Sequence, residues 1–167
     1  MAPMLRLIAV FIALVAGPAA AQAEVRSACK DLLGTYLTTN TAKNGSFTSR
    51  SLLSFGGQGL VLFADSGQSG EHGFASFTDS RGAWRCVVGD GGKVKVKATT
   101  LDFTASADGS EGKIGRLDFD LDYLTDQKTI AGTATLFFVP LDADPFAADQ
   151  LKDGLQFDIS GQRVEAP

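Results

Sequence analysis

Between Arg116 and Tyr123 the chain alternates without a break: Leu117, Phe119, Leu121 and Tyr123 interleave with Arg116, Asp118, Asp120 and Asp122. A repeat of two belongs to a β-strand, whose successive side chains point to opposite faces, so this run builds a strand with one buried and one wet face. Val94 and Val96 alternate with Lys93, Lys95 and Lys97 in the same way. The lysines are placed to pair across to the aspartates on the wet face of the next strand. Around Thr99-Thr100 the apolar phase moves to Leu101 and Phe103, which predicts a β-bulge or a bend there.

The rest of the chain repeats this pattern. β-prone runs at 35–39, 46–55, 60–64, 73–78, 83–88, 93–104, 112–124, 129–139 and 155–159 are separated by Gly, Asn and Asp turns, among them Lys43-Asn44-Gly45 and Gly89-Asp90-Gly91-Gly92. Helical signals are confined to two places. Residues 27–33 can form a helical turn ended by Gly34, and a short late helix is expected from Asp144 as cap, Pro145 at its first position, Lys152 in its last turn and Gly154 as its stop. Eight or nine strands joined mostly by hairpin-length turns must pack as two sheets or close on themselves, and closure removes the exposed edges that invite aggregation. The expected fold is therefore all-β: an antiparallel up-and-down barrel of about eight strands, with a two-sheet sandwich as the rival.

The first residues carry a different signal. Arg6 precedes an apolar run from Leu7 to Ala16, Gly17-Pro18 breaks it, and Ala21-Gln22-Ala23 supplies a small-x-small cleavage site. That order matches a signal peptide over residues 1–23 and is too short to span a bilayer, so residues 24–167 are expected to form one exported domain beginning at Glu24. Cys29 follows Val25-Arg26-Ser27-Ala28, a poor match to a lipid-anchor box, so release into the periplasm or medium is expected rather than membrane insertion. Without Arg6, 14 basic residues face 19 acidic ones, a net charge of −5 that argues against nucleic-acid partners. Cys29 and Cys86, both in the exported part, are expected to form a disulfide; with no CxxC spacing they point to neither a redox motif nor a zinc site.

Gly34-Thr35-Tyr36 opens the first strand with a Gly-x-aromatic start, and Gly82-Ala83-Trp84 repeats it at a later strand. With meandering strands over most of 34–164, the chain resembles the calycin group of lipocalin-like and avidin-like barrels, in particular small exported bacterial members. The lipocalin signature has Trp where this chain has Tyr36, and Arg163, close to the end of the chain, is not read as its stacking partner. The resemblance implies a barrel and names no ligand.

No catalytic residue is identified. His72, the single histidine, lies in a turn and reads as a solvated loop residue, and no metal or other cofactor is expected. Asp118, Asp120 and Asp122 read as outer wall, and Asp142, Asp144, Asp149 and Asp153 as caps and solubilising charge. Gly56-Gly57-Gln58-Gly59 lacks the Gly-Lys-Ser/Thr ending of a phosphate loop and reads as a hairpin. Tyr36, Phe74, Trp84, Phe119 and Tyr123 are expected to face the barrel interior, where an eight-stranded barrel has room to fill with side chains or to hold one small ligand. The expected function is binding of a small apolar or aromatic molecule there. The alternatives are a metal-independent isomerase or cyclase, and a protein-interaction or inhibitor domain acting through loops such as 66–73.

Overall fold

The computed structural model describes residues 29–70, 75–89, 93–105 and 111–167; the expected signal segment lies outside them. Eight strands follow in chain order: β1 (Gly34–Ala42), β2 (Thr48–Phe55), β3 (Leu60–Asp65), β4 (Ser80–Val88), β5 (Val94–Phe103), β6 (Lys113–Leu124), β7 (Thr129–Pro140) and β8 (Leu155–Arg163). Each pairs antiparallel with the next, and β8 returns to β1 from Tyr36↔Arg163 to Ala42↔Phe157, closing the barrel. Closure leaves no unpaired edge, the physical reason a chain of short alternating strands settles here rather than in an open sheet.

The run at 73–78 does not become a ninth wall strand. In its described part Phe77 makes a single bridge with Thr104. Thr78 donates its N–H to Phe103 O, and Ala105 donates to Ser76 O, so the segment lies against the end of β5 as a rim.

The expected bulge in β5 is absent. The strand pairs residue for residue with β4 as far as Arg81↔Leu101 and with β6 as far as Phe103↔Ile114. Two unbroken hydrogen-bond ladders hold the period at two, so the inward row runs on through Val94, Val96, Ala98, Thr100 and Asp102, all buried. Leu101 and Phe103 point outward, and Phe103 is 58% exposed. A local preference for burying leucine and phenylalanine yields to the register of both neighbours.

On the outer wall the lysines and aspartates meet as their alternation predicts. Lys95 Nζ lies 3.2 Å from Asp122 Oδ1, Lys97 pairs with Asp120, and Thr99 Oγ1 donates to Asp118 Oδ1 at 2.6 Å. These are half-exposed contacts that add little stability. Their value to the argument is directional, because they fix which face of β5 and β6 is wet.

The late helix contracts to one 3-10 turn, Ala148–Gln150. Asp144 does not cap it, since Ala147 holds that position without a side-chain bond; Asp144 Oδ1 instead accepts from Phe146 N–H at 2.9 Å in a local turn. Besides its own turn bonds, the segment between β7 and β8 is held by Arg116 and Asp118 of β6. Arg116 Nη1 donates to Pro145 O at 2.8 Å, its guanidinium sits 5.3 Å from the centre of the Phe146 ring, and Asp118 braces it from the other side at 2.8 Å. Ile114 and Val139, in register on that outer face, are buried. Arg116→Ala should therefore cost about 2 kcal/mol, the scale of a charge-assisted hydrogen bond, and make 141–154 the first protease-sensitive segment. Limited proteolysis that cleaves elsewhere first, with an unchanged melt, would contradict this anchoring role.

Candidate functional site

The two ends of the barrel are built differently. At one end the helical turn at 29–31 lies across the opening, tied to β4 by the Cys29–Cys86 disulfide with its Cα atoms 5.8 Å apart. Leu32, fully buried, is its plug. A helix end leaves backbone carbonyls without partners, and here three side chains supply them. Tyr36 donates its hydroxyl to Leu32 O at 3.0 Å, Tyr123 donates to Asp31 O at 2.9 Å, and Arg163 donates through Nη2 to Asp31 O and Leu33 O.

Arg163 also lies 5.6 Å from the centre of the Tyr36 ring, the stacking partner that its place near the chain end concealed. Gly34, at φ +141°, makes this possible, since a Cβ there would come within 3.1 Å of Arg163 Nε. Burial holds the Tyr36 phenol well above its ordinary pKa, against the opposing pull of Arg163. Trp84 donates its indole N–H to Gly56 O at 2.9 Å, pinning the Gly56–Gly59 hairpin to the same end.

The opposite end holds a cavity of about 70 Å³. Phe47, Phe63, Leu117, Leu136 and Phe157 are part of its wall, and Ala75, Phe77 and Gly67 belong to the rim segments above it. Among the described residues two carboxyl groups reach this mainly apolar space, Asp65 and Asp102, beside Asn40, Ser49 and Thr104. Asp65, the last residue of β3, is fully engaged. Its Oδ2 accepts from Ser49 Oγ at 2.8 Å, from Asn40 Nδ2 at 3.0 Å and from Ser51 Oγ, while its Oδ1 accepts from Gly67 N–H at 2.7 Å. Register brings the group together, because Asn40 faces Ser49 across β1–β2 and Ser51 faces Asp65 across β2–β3.

Asp102 is more deeply placed, 3% exposed on the inner face of β5. Its Oδ2 accepts from Ser80 Oγ at 2.7 Å, and the backbone N–H of Gly115 donates to the same carboxyl. Gly115 stands directly across the β5–β6 ladder, and a Cβ there would lie 2.2 Å from Asp102 Oδ1. The glycine is thus the recess into which the carboxyl folds. Burial dominates its titration and pushes the Asp102 pKa up to about 6 against the lowering pull of its two hydrogen bonds. A carboxyl group inside an apolar cavity, shifted toward the neutral range, is the kind of group that binds or reacts.

The residues proposed from sequence divide between these regions. Tyr36, Trp84 and Tyr123 point inward but cluster at the plugged end, with the Tyr36 ring 5.9 Å from Phe55 and 6.3 Å from Tyr123, edge to face. Phe119 sits between the two regions, its ring 5.5 Å from Phe63, which lines the cavity. Phe74 and His72 lie outside the described residues. Asp102, Asp65, Asn40, Leu136 and Phe157 were not singled out from sequence. The usable signal for Asp102 was strict alternation carried past Thr100, with Gly115 as the small residue facing it. Compared with family models, curated proteins and solved structures, the chain matches none.

Proposed function

We propose that this is an exported, calycin-like binding protein that admits a small molecule with an apolar part through the unplugged end of its barrel. The observation that carries the reading is a cavity at one end of a barrel whose other end is sealed, walled by aromatic and aliphatic side chains with a buried carboxyl facing in. Small-molecule sites share this construction: mostly apolar walls fix affinity, and a few polar groups fix orientation. The volume suits a short alkyl group or the tip of a longer one, being about half of the roughly 150 Å³ cavity that accommodates benzene.

The calycin comparison draws support from Gly34, Tyr36 and Arg163 meeting where the N-terminal turn closes the barrel. Export draws support from the leader pattern at 1–23 and from the disulfide, a bond that persists in oxidising compartments. Among the described residues no helix is long and apolar enough to cross a membrane. Lys95, Lys97, Asp120 and Asp122 on the outer wall, against Val96 and Leu121 inside, reverse the arrangement of a lipid-facing barrel.

Leu136→Trp tests the cavity by filling it. A hydrophobic fluorescent probe should bind the native protein, and the variant should bind it about tenfold more weakly or worse, the loss of burying two methylene-sized groups. Circular dichroism should be unchanged. Equal binding by both proteins would place the ligand elsewhere.

A further inference from the structure

We propose that the ligand presents a protonated nitrogen to Asp102, so that the cavity selects small amines carrying a short apolar group over alcohols and carboxylates of the same shape. The inference rests on the cavity being the binding site and adds the chemical class of what binds.

The ionisable side chains that line the cavity among the described residues are Asp65 and Asp102; no Lys, Arg or His joins them. A carboxylate entering this space would meet two carboxyl groups with no cation among the described residues to offset them. An alcohol would donate one hydrogen bond to the carboxylate but bring no positive charge to offset its burial. An ammonium ion would donate its bond across two opposite charges in an apolar surrounding, where their attraction offsets part of the cost of burying both.

Asp102, rather than Asp65, has room for it. A carboxylate offers about four acceptor positions, and Asp65 already takes four donors, from Asn40, Ser49, Ser51 and Gly67. Asp102 takes two, from Ser80 and Gly115. The recess at Gly115 keeps the carboxyl in place while leaving its remaining lone pairs unclaimed. The net negative charge of the chain also favours the approach of cations.

The test is a methyl-shift NMR titration of the disulfide-bonded protein at pH 7.5 with n-butylammonium chloride, n-butanol and sodium butyrate, read at Leu117 and Leu136. The ammonium ion should bind about tenfold or more tightly than butanol, the gain of pairing two opposite charges, and butyrate should give no saturable shift. Asp102→Asn should abolish the preference for the ammonium ion over butanol. Ser80→Ala, which keeps the carboxyl, should preserve it. Equal affinities for the three compounds in the native protein, a measurement independent of any variant's folding, overturn the amine assignment. So does a preference that survives in Asp102→Asn. If the fluorescent probe binds the cavity and none of the three compounds does, the amine assignment falls alone; if the probe fails as well, the cavity reading falls with it.

Discussion

Replacing Asp102 with asparagine should raise the stability of the barrel at pH 7 by about 2–3 kcal/mol and flatten its dependence on pH between 4 and 6. The sign follows from where the proton is held. Burial lifts the folded-state pKa to about 6 from 3.8, so the folded protein binds this proton more tightly than the unfolded chain does. The favourable contribution is complete below pH 3.8 and disappears as pH rises through 6. A difference of about two units corresponds to about 3 kcal/mol, and asparagine, which carries no charge to bury, avoids the loss. It offers one oxygen to Ser80 and Gly115 where the carboxyl offers two, which places the gain toward the lower end of that range.

Urea unfolding of both proteins at pH 4, 5, 6 and 7 measures this directly. An asparagine variant less stable than the native protein at pH 7, or a native protein whose stability is flat across the range, would show that Asp102 is not the buried titrating group described here. A carboxyl group retained at a stability cost, in a recess that only glycine allows, fits a residue kept for what it contacts rather than for what it stabilises.

The second large effect lies at the other end of the barrel. Cys29→Ser with Cys86→Ser should lower stability by about 4 kcal/mol, because the bridge closes a loop with a sequence separation of 57 and restricts the unfolded chain accordingly. The same change frees the helical turn that carries Leu32 into the barrel. Tyr36, Tyr123 and Arg163 would still hold its carbonyls, so the plug should loosen rather than leave. Guanidinium unfolding with and without a reductant is the measurement. A drop smaller than about 1 kcal/mol would mean that these three contacts close the end without help from the bridge.

Much of the architecture was readable from local pattern. The alternation in β6 assigned Leu117, Phe119, Leu121 and Tyr123 to the interior and Asp118, Asp120 and Asp122 to the outer wall, and the lysines of β5 meet those aspartates in register. The reading was weaker where hydrophobicity and register disagree. At 99–103 the side chains argue for a shift of phase, whereas hydrogen bonds to two neighbouring strands forbid it, and the consequence was to leave Asp102 unexamined. At 144–154 good capping residues suggested a helix, but contacts with Arg116 hold the segment as a strap.

Periodicity states which face of a strand a residue occupies, and in this chain that was enough for the meander and the inward row of β6, while strand number stayed at eight or nine and the phase at 99–103 was misread. It carries no information about height along the barrel axis. Tyr36, Trp84 and Tyr123 alternate inward like any other interior residue, and only closure of β1 on β8, with the disulfide drawing the N-terminal turn across one mouth, sets them in the plug and leaves Asp102 beside the space at the opposite end. Local sterics and burial decide the first kind of fact within a few residues. The second depends on partners 20 to 130 residues apart in the chain, Ser80 with Asp102 and Leu33 with Arg163, which meet only once the barrel has closed.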